Sequence, residues 1–492
     1  MARSPACNFA GRLAKRLGQH SHLIDAATGQ SIPPIDLPRL ISNFGAGLLS
    51  ARLKEGDRIL IGCVLSPASS IAYLGAMYAG LVPVPIEEGV LLSSLSGLLE
   101  RTGARAVWTE RDSGLEGKVD RRVRALHGFP EQKMTEPIPP APRDESDLAV
   151  LVGTSGSTGA PRFVMVSHGN LTANTEAIIR SQNLGADERA MLILPISYCF
   201  GASVLHTHLY QGGGVVFDRR FMFPDKVLRA IQRHECTTFA GVPTVYNILL
   251  RRSNLRSIPM PCLRRFLQAG GPLGPERVAK MRAVVPTTKF YVMYGQTEAT
   301  ARISCLDPEH LNAKLGSAGR PLDNLTLRIV DEECEDLPAG HTGEIIVRGP
   351  SITLGYLDEP EASRSAFKDG WLHTGDLGHL DTDGYLWIDG RKGTFVKMRG
   401  VRVSFAEVEA KVSAVPGVYE CAAAVVPHVE AGEALALYIV PEQGAGGVVD
   451  RIRQSLPTFW TCDSINIVSE IPKTSVGKVS RSALLSAIST RG

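Results

Sequence analysis

The chain lacks several things that would have narrowed its role. Its nine cysteines stand singly at positions 7, 63, 199, 236, 262, 305, 334, 421 and 462. No C-x-x-C pair occurs among them, so neither a zinc ribbon nor a dithiol redox motif is expected. An odd number of scattered thiols, several in apolar runs, fits reduced cysteines in a cytoplasmic protein. No stretch reaches 18 consecutive apolar residues, so no membrane span is expected. The opening Met1-Ala-Arg-Ser-Pro-Ala has no apolar core of a secretion signal. Charge of one sign is also missing: 53 basic residues face 50 acidic ones, for a net charge of +3. That balance gives no electrostatic reason to expect nucleic acid or an anionic membrane as partner. Internal repeats and long low-complexity tracts are absent too.

What is present is enough apolar material for a large core and a recurring pattern. Short apolar runs at Arg58–Leu65, Ala104–Thr109, Leu148–Gly153, Met191–Pro195, Gly214–Phe217, Thr237–Val242 and Phe290–Tyr294 read as buried strands. Helix-period segments separate them: Pro38–Leu53, Ser69–Ala79, Gly169–Arg180, Lys226–His234, Thr244–Arg251 and Pro275–Ala283. Buried strands alternating with helices predict an α/β fold with parallel sheets. After about residue 315 the strands shorten and turn residues multiply, which predicts a small antiparallel part. The last hundred residues suggest helices at Phe405–Ser413 and Val448–Ser455, with strands at Tyr419–Val426 and Ala434–Val440. This predicts a small α+β C-terminal domain over 391–492, following a large domain over 1–390.

The most informative stretch is Leu151-Val-Gly-Thr-Ser-Gly-Ser-Thr-Gly-Ala-Pro-Arg162. Its Thr154, Ser155, Gly156, Ser157, Thr158 and Gly159 combine glycines, which let backbone N–H groups approach a ligand, with hydroxyl donors. Such a loop can cradle a phosphate chain. The Gly-Lys-Ser/Thr of a Walker loop does not follow. Taken alone, a plain Ser/Gly turn is an equally good reading.

Four further segments supply what a phosphate cradle needs. Tyr294-Gly-Gln-Thr-Glu298 ends an apolar strand and offers an aromatic face, the Thr297 hydroxyl and the Glu298 carboxylate, a suitable Mg²⁺ ligand. Gly370-Trp-Leu-His-Thr-Gly-Asp376 places an acid in a turn, where it can accept both hydroxyls of a ribose. Gly390-Arg391-Lys392-Gly393-Thr394 is cationic and glycine-loosened. Pro472-Lys-Thr-Ser-Val-Gly-Lys478 carries a lysine on a loop that can swing as a point charge.

In order and spacing these segments resemble the core motifs of the ANL adenylate-forming superfamily: acyl- and aryl-CoA synthetases, peptide-synthetase adenylation domains and luciferases. Weaker signatures at Leu194-Pro195, Val242-Pro243-Thr244, Gly270-Gly271-Pro272-Leu273, Gly343-Glu344 and Gly355-Tyr356 extend the likeness from about Gly56 to Arg481. The resemblance implies a large N-terminal domain hinged to a mobile C-terminal one. It also implies ATP-dependent activation of a carboxylic acid to acyl-AMP, with release of pyrophosphate. Transfer to a thiol follows, either of coenzyme A or of the phosphopantetheine on a carrier protein. A slight preference falls on coenzyme A. An inactive ATP-binding member is the reading from another class.

By that likeness the Thr154–Gly159 loop holds the terminal phosphates. Thr297 contacts the α-phosphate, and Glu298 holds Mg²⁺. Tyr294 stacks on adenine near Gly270 and Gly271, while Asp376 and Arg391 grip the ribose. Lys478 bridges the attacking carboxylate and the α-phosphate. Tyr198, Phe200, Gly201, Ser203, Gly241 and Ala269 are the expected walls of the acid pocket.

The chain departs from the family at three places. Arg162-Phe163 replaces the usual Lys-Gly, Thr394 stands at the hinge, and Tyr198 stands where many relatives carry a His. Amino-acid-activating members place an Asp where Gly201 stands. A buried ammonium without that partner is costly, so an acid without an α-ammonium group, aliphatic or aryl, is expected. His206 and His208, two apart in an apolar stretch, are read as packing residues rather than metal ligands.

Overall fold

The computed structural model describes residues 4–128, 137–154, 162–392, 395–398, 401–428, 432–442, 444–457, 460, 462–473, 479–481 and 483–484. They fall into two compact units. One comprises Met1–Gly270, Pro275–Leu327 and Val347–His373; the other comprises Gly271–Gly274, Arg328–Ile346 and Thr374–Gly492.

The larger unit holds a nine-stranded sheet. Its centre is parallel and runs, in spatial order, Lys289–Tyr294, Arg265–Gln268, Thr238–Gly241, Arg189–Leu192, Gly214–Phe217 and Leu23–Asp25. Ser304–Leu306 adds antiparallel to the first of these. A second, four-stranded sheet is parallel throughout: Val82–Glu87, Arg58–Cys63, Ala106–Thr109 and Arg124–His127. Most central strand residues are buried, as near-continuous runs such as Arg-Ile-Leu-Ile-Gly-Cys require when helices cover both faces.

One expected strand pairs differently. Leu148–Thr154 forms an antiparallel ribbon with Arg162–Ser167 rather than joining a parallel sheet. Only residues 155–161 separate the two, and a parallel return needs a crossover of about a dozen residues or more.

Helix ends follow local chemistry. Ser66 caps Pro67–Tyr78 by accepting from the Ser69 N–H at 3.2 Å, with proline at the tolerated first turn. Ser167 and Asn170 form a reciprocal capping box at the start of His168–Gln182. Asn183, at φ 47°, ends that helix in the left-handed conformation. The helices Phe9–Arg16, Glu88–Thr102 and Pro360–Ala366 extend the sequence expectation.

In the smaller unit, the C-terminal end of Trp371–Leu380 runs antiparallel to Leu386–Arg391. Further along, Val418–His428, Gly432–Pro441 and Cys462–Ile467 form a three-stranded sheet. The helices Phe405–Ser413 and Val448–Ser455 accompany that sheet, both with the bounds the sequence predicts. Val408, Val412, Leu435, Leu437, Ile439 and Ile452 give this part its own buried core.

Candidate active site

In the larger unit Tyr294, Gly241, Ala269 and Gly270 lie at or just beyond the ends of adjacent parallel strands, the usual ligand position of open α/β sheets. Tyr294 is the last residue of its strand, and Thr297–Ala299 makes a short 3-10 turn just beyond. Gly295 is demanded there, because a Cβ would overlap the Ala301 carbonyl. The turn is fixed from several sides. Thr353 donates to the Glu298 carbonyl from both N–H and hydroxyl, each at 3.0 Å. Thr300, forced to φ 69°, donates from its hydroxyl to the Ser351 carbonyl at 2.6 Å. Asn170 in turn holds the Pro350 and Ile352 carbonyls at 2.8 and 2.9 Å.

Glu298 has a partner that sequence reading missed. The Tyr356 hydroxyl donates to its Oε1 at 2.8 Å. A phenol on one carboxylate oxygen orients the group and leaves the other oxygen for a ligand, as supporting partners of metal-binding carboxylates do. The Gly355-Tyr356 pair in the sequence was the available signal. Thr297 is buried, and its hydroxyl donates to the Cys199 sulfur at 3.5 Å.

Thr154 closes its strand, with its hydroxyl 3.4 Å from the Arg162 carbonyl. Ser155, Gly156, Ser157, Thr158 and Gly159 lie outside the described residues. The unusual Arg162-Phe163 pair has a clear structural use. Phe163 is buried among Leu60, Leu91, Leu151 and Leu357. Arg162 pairs with Glu359 at 2.9 Å, its guanidinium 5.4 Å from the Tyr356 ring centre.

The pocket residues separate into groups. Gly270, at φ 88°, is approached by Val242 and, more distantly, by the Tyr198 hydroxyl. Gly241 ends the neighbouring strand against Val245 and Tyr246, and Ala269 is buried beside it in sequence order after Gln268. Burial pushes the Tyr198 phenol well above its ordinary pKa, so it stays protonated. Gly201 has no room for a side chain. A Cβ there would overlap the Pro195 carbonyl oxygen, so protein backbone fills the place an Asp side chain would start from.

Ser203 is spoken for as well. Its hydroxyl donates to the Phe200 carbonyl at 2.7 Å. Its side chain lines a small cavity with Cys199, His206, Tyr73 and Asn174, of about 20 Å³, room for one water. His206 packs edge-on to Phe9 at 5.0 Å and stacks on Tyr73 at 5.7 Å. Burial lowers its pKa to about 3, so it is a neutral packing residue at pH 7. His208 is likewise buried, with Nδ1 2.9 Å from the Val204 carbonyl.

In the smaller unit Asp376 and Arg391 sit opposite one another across the antiparallel pair, 3.6 Å apart. The Thr374 hydroxyl accepts from the Asp376 N–H at 3.0 Å. Glu344, nearly buried, anchors the turn: its carboxylate accepts from the Gly375 N–H at 3.3 Å and from Lys392 at 2.9 Å. Gly375 takes φ 70°, which favours glycine. Lys478, Gly393 and Thr394 lie outside the described residues.

Comparison with known proteins agrees with this geometry. Residues 13–357 match the family model for AMP-binding enzymes, and residues 407–478 match that for the AMP-binding enzyme C-terminal domain. A feruloyl-CoA synthase of Amycolatopsis sp. is 32% identical over 92% of this chain and 93% of its own length. ATP-bound MatB from Rhodopseudomonas palustris superposes with a TM-score of 0.88 at 27% identity, covering 98% of both chains. The o-succinylbenzoate CoA synthetase of Bacillus subtilis, solved with its acyl-adenylate intermediate, gives 0.85 at 25% identity over 97% of both. The chain belongs to the AMP-binding enzyme family of the adenylate-forming superfamily. Within it, this protein is an AMP-forming acid–thiol ligase. No helix among its described residues is long and apolar enough to cross a membrane.

Proposed function

We propose that this protein converts a carboxylic acid lacking an α-ammonium group, aryl or aliphatic, into its coenzyme A thioester in the cytoplasm. In the first half-reaction an acid oxygen attacks the α-phosphorus of ATP, and the bond to pyrophosphate breaks. In the second the coenzyme A sulfur attacks the acyl carbon, its proton is lost, and AMP leaves with the carboxyl oxygen. Both halves demand positioning and charge stabilisation more than covalent help from the protein.

The observation that carries the reading is the braced Tyr294–Ala299 turn at the end of its strand. On this reading Thr297 in that turn contacts the α-phosphate, and Glu298, tethered by Tyr356, is the carboxylate ligand for Mg²⁺. Thr154 through Gly159 hold the pyrophosphate end, Tyr294, Gly270 and Gly271 the adenine, and Asp376 and Arg391 the ribose. Mg²⁺, when bound, neutralises phosphate charge, and the Glu298 carboxylate fits it, since this cation takes one or two protein oxygens plus phosphate oxygens. Lys478, on the mobile domain spanning 391–492, neutralises charge as carboxylate and phosphate meet.

The acid preference rests on Gly201, whose Cβ position is filled by Pro195, so no carboxylate stands there for a substrate ammonium. The relatives named for feruloyl-CoA and o-succinylbenzoate support an acid of this kind, and their CoA-thioester names support coenzyme A as acceptor.

ATP–pyrophosphate exchange over a panel of aryl, aliphatic and α-amino acids tests the reading, followed by thioester formation with coenzyme A or holo carrier proteins. Exchange with α-amino acids alone would refute the acid class. Transfer to a carrier with none to coenzyme A would refute the acceptor. Lys478→Ala is expected to lose adenylate formation by about 100-fold or more while retaining ATP binding. Unchanged exchange in that variant would remove Lys478 from its role.

A further inference from the structure

Arg302 is a feature of this region that the reaction above does not use. It follows the Tyr294–Ala301 segment, and its residue is 2% exposed. Its main chain is pinned: the Asn174 carboxamide oxygen accepts from the Arg302 N–H at 3.2 Å, and its nitrogen donates to the Arg302 carbonyl at 2.9 Å. Its side chain is different. The guanidinium carbon lies 5.0 Å from the centre of the Phe200 ring. Among the described residues it joins no ion pair and donates no hydrogen bond, and Nε is fully buried without an acceptor. The polar groups that influence it are Cys305, Cys199 and the Tyr198 phenol, with no carboxylate among them. Burial draws its pKa down to about 10, so it remains a cation at pH 7.

A cation taken out of water without an anion is an unfavourable arrangement. A cation–π contact offsets only part of that cost. The five N–H donors of a guanidinium form a fork that fits a carboxylate. The missing counter-ion therefore has a definite chemistry. Its place is also defined, because Phe200, an expected wall of the acid pocket, lies against the same side chain, and the Tyr198 phenol is near enough to influence its charge. The reacting carboxyl belongs at the Thr297 turn. Arg302 sits at the base of that loop instead: the neighbouring Ile303 N–H donates to the Tyr294 carbonyl at 2.9 Å, back at sheet level.

We propose that Arg302 is a specificity-determining residue that takes a second carboxylate on the substrate, at the end remote from the one activated. The preferred acid is then a dicarboxylic acid. This rests on the reading of the protein as an acid–thiol ligase and deepens it. One carboxylate becomes the acyl phosphate anhydride and then the thioester; the other stays ionised against Arg302.

The test compares succinate, glutarate, phthalate and isophthalate with their monomethyl esters in ATP–pyrophosphate exchange and in coenzyme A thioester formation. The wild-type enzyme is expected to favour at least one diacid over its ester by about 100-fold in kcat/KM, chiefly through KM. Arg302→Leu is expected to erase that preference while leaving turnover of the ester unchanged or improved. Arg302→Lys restores part of it. Unfolding curves of each variant confirm that the folded state is compared.

Two results would overturn the assignment. Monoacids could be used as well as diacids, with no dependence on Arg302. Alternatively, Arg302→Leu could lower kcat for every acid alike, which would put the guanidinium at the reacting carboxyl. No exchange with any acid would instead be a failure of the ligase reading itself.

Discussion

The two ends of the nine-stranded sheet treat buried charge in opposite ways. At the amino ends, Glu188 is 2% exposed and surrounded by partners. Arg265 pairs with it, Arg264 lies 3.3 Å from it, and the Thr237 hydroxyl donates to its second oxygen. At the carboxyl ends, Arg302 is as deeply buried and has no anion beside it. Equal burial thus goes with a closed ion cluster at one end and an open one at the other. The closed cluster pairs its charges within the fold, although Arg265 Nε is buried there without a hydrogen-bond acceptor. The open one is arranged for something that arrives from outside. Burial alone does not separate structure from function; the presence or absence of a counter-ion does.

Substitutions can sharpen this contrast, starting with the largest effect. Glu188→Leu leaves Arg265 uncompensated in the closed cluster. It is expected to cost about 3 kcal/mol or more of folding stability, read by urea unfolding, with the acid preference of the surviving folded enzyme unchanged. Gly201→Asp introduces a carboxylate at the open end, but its Cβ meets the Pro195 carbonyl. A loss of about 1–3 kcal/mol is expected, without any gain of α-amino acid activation in pyrophosphate exchange. Tyr356→Phe removes one hydrogen bond to Glu298, worth about 1 kcal/mol. A several-fold higher Mg²⁺ concentration for half-maximal exchange checks it. Arg302→Leu should have the smallest effect on stability, about zero or slightly stabilising, because it removes a charge that nothing in the fold pairs. A large destabilisation there would erase the difference between the two ends.

Much of this was legible in the sequence because its motifs combine unusual residue types at fixed spacing. Tyr294-Gly-Gln-Thr-Glu298 announces a strand end, a tight turn and an acid, and the structure has all three. The helices Phe405–Ser413 and Val448–Ser455 were legible from period alone. Pairing direction was less so: Leu148–Thr154 is as apolar as its parallel counterparts, and only the short return to Arg162–Ser167 betrays it. Nothing in the sequence signalled that the Ser203 hydroxyl bonds the Phe200 carbonyl within its own helix. Arg302 gave little sign. An arginine between Ala301 and Ile303 reads as an ordinary surface charge until burial and the lack of partners are known. Tyr356 was visible as part of a weak signature, but its contact with Glu298 spans 58 residues and belongs to tertiary structure.

The hairpin carrying Asp376 and Arg391 works as a ruler. Its two ribose candidates face each other only because Leu380 pairs with Leu386 and the register, with its shift at Leu377/Gly378, delivers residue 391 opposite residue 376. Side chains alternate faces along a strand, so a slip of one residue would send one partner to the far side. The turn from Asp381 to Tyr385 is closed by a hydrogen bond at each end, from Asp381 N–H to Tyr385 carbonyl and from Gly384 N–H to Asp381 carbonyl, at 3.0 and 2.9 Å. Its length is therefore a functional quantity. Inserting or deleting one residue in that turn would separate the pair without touching either member.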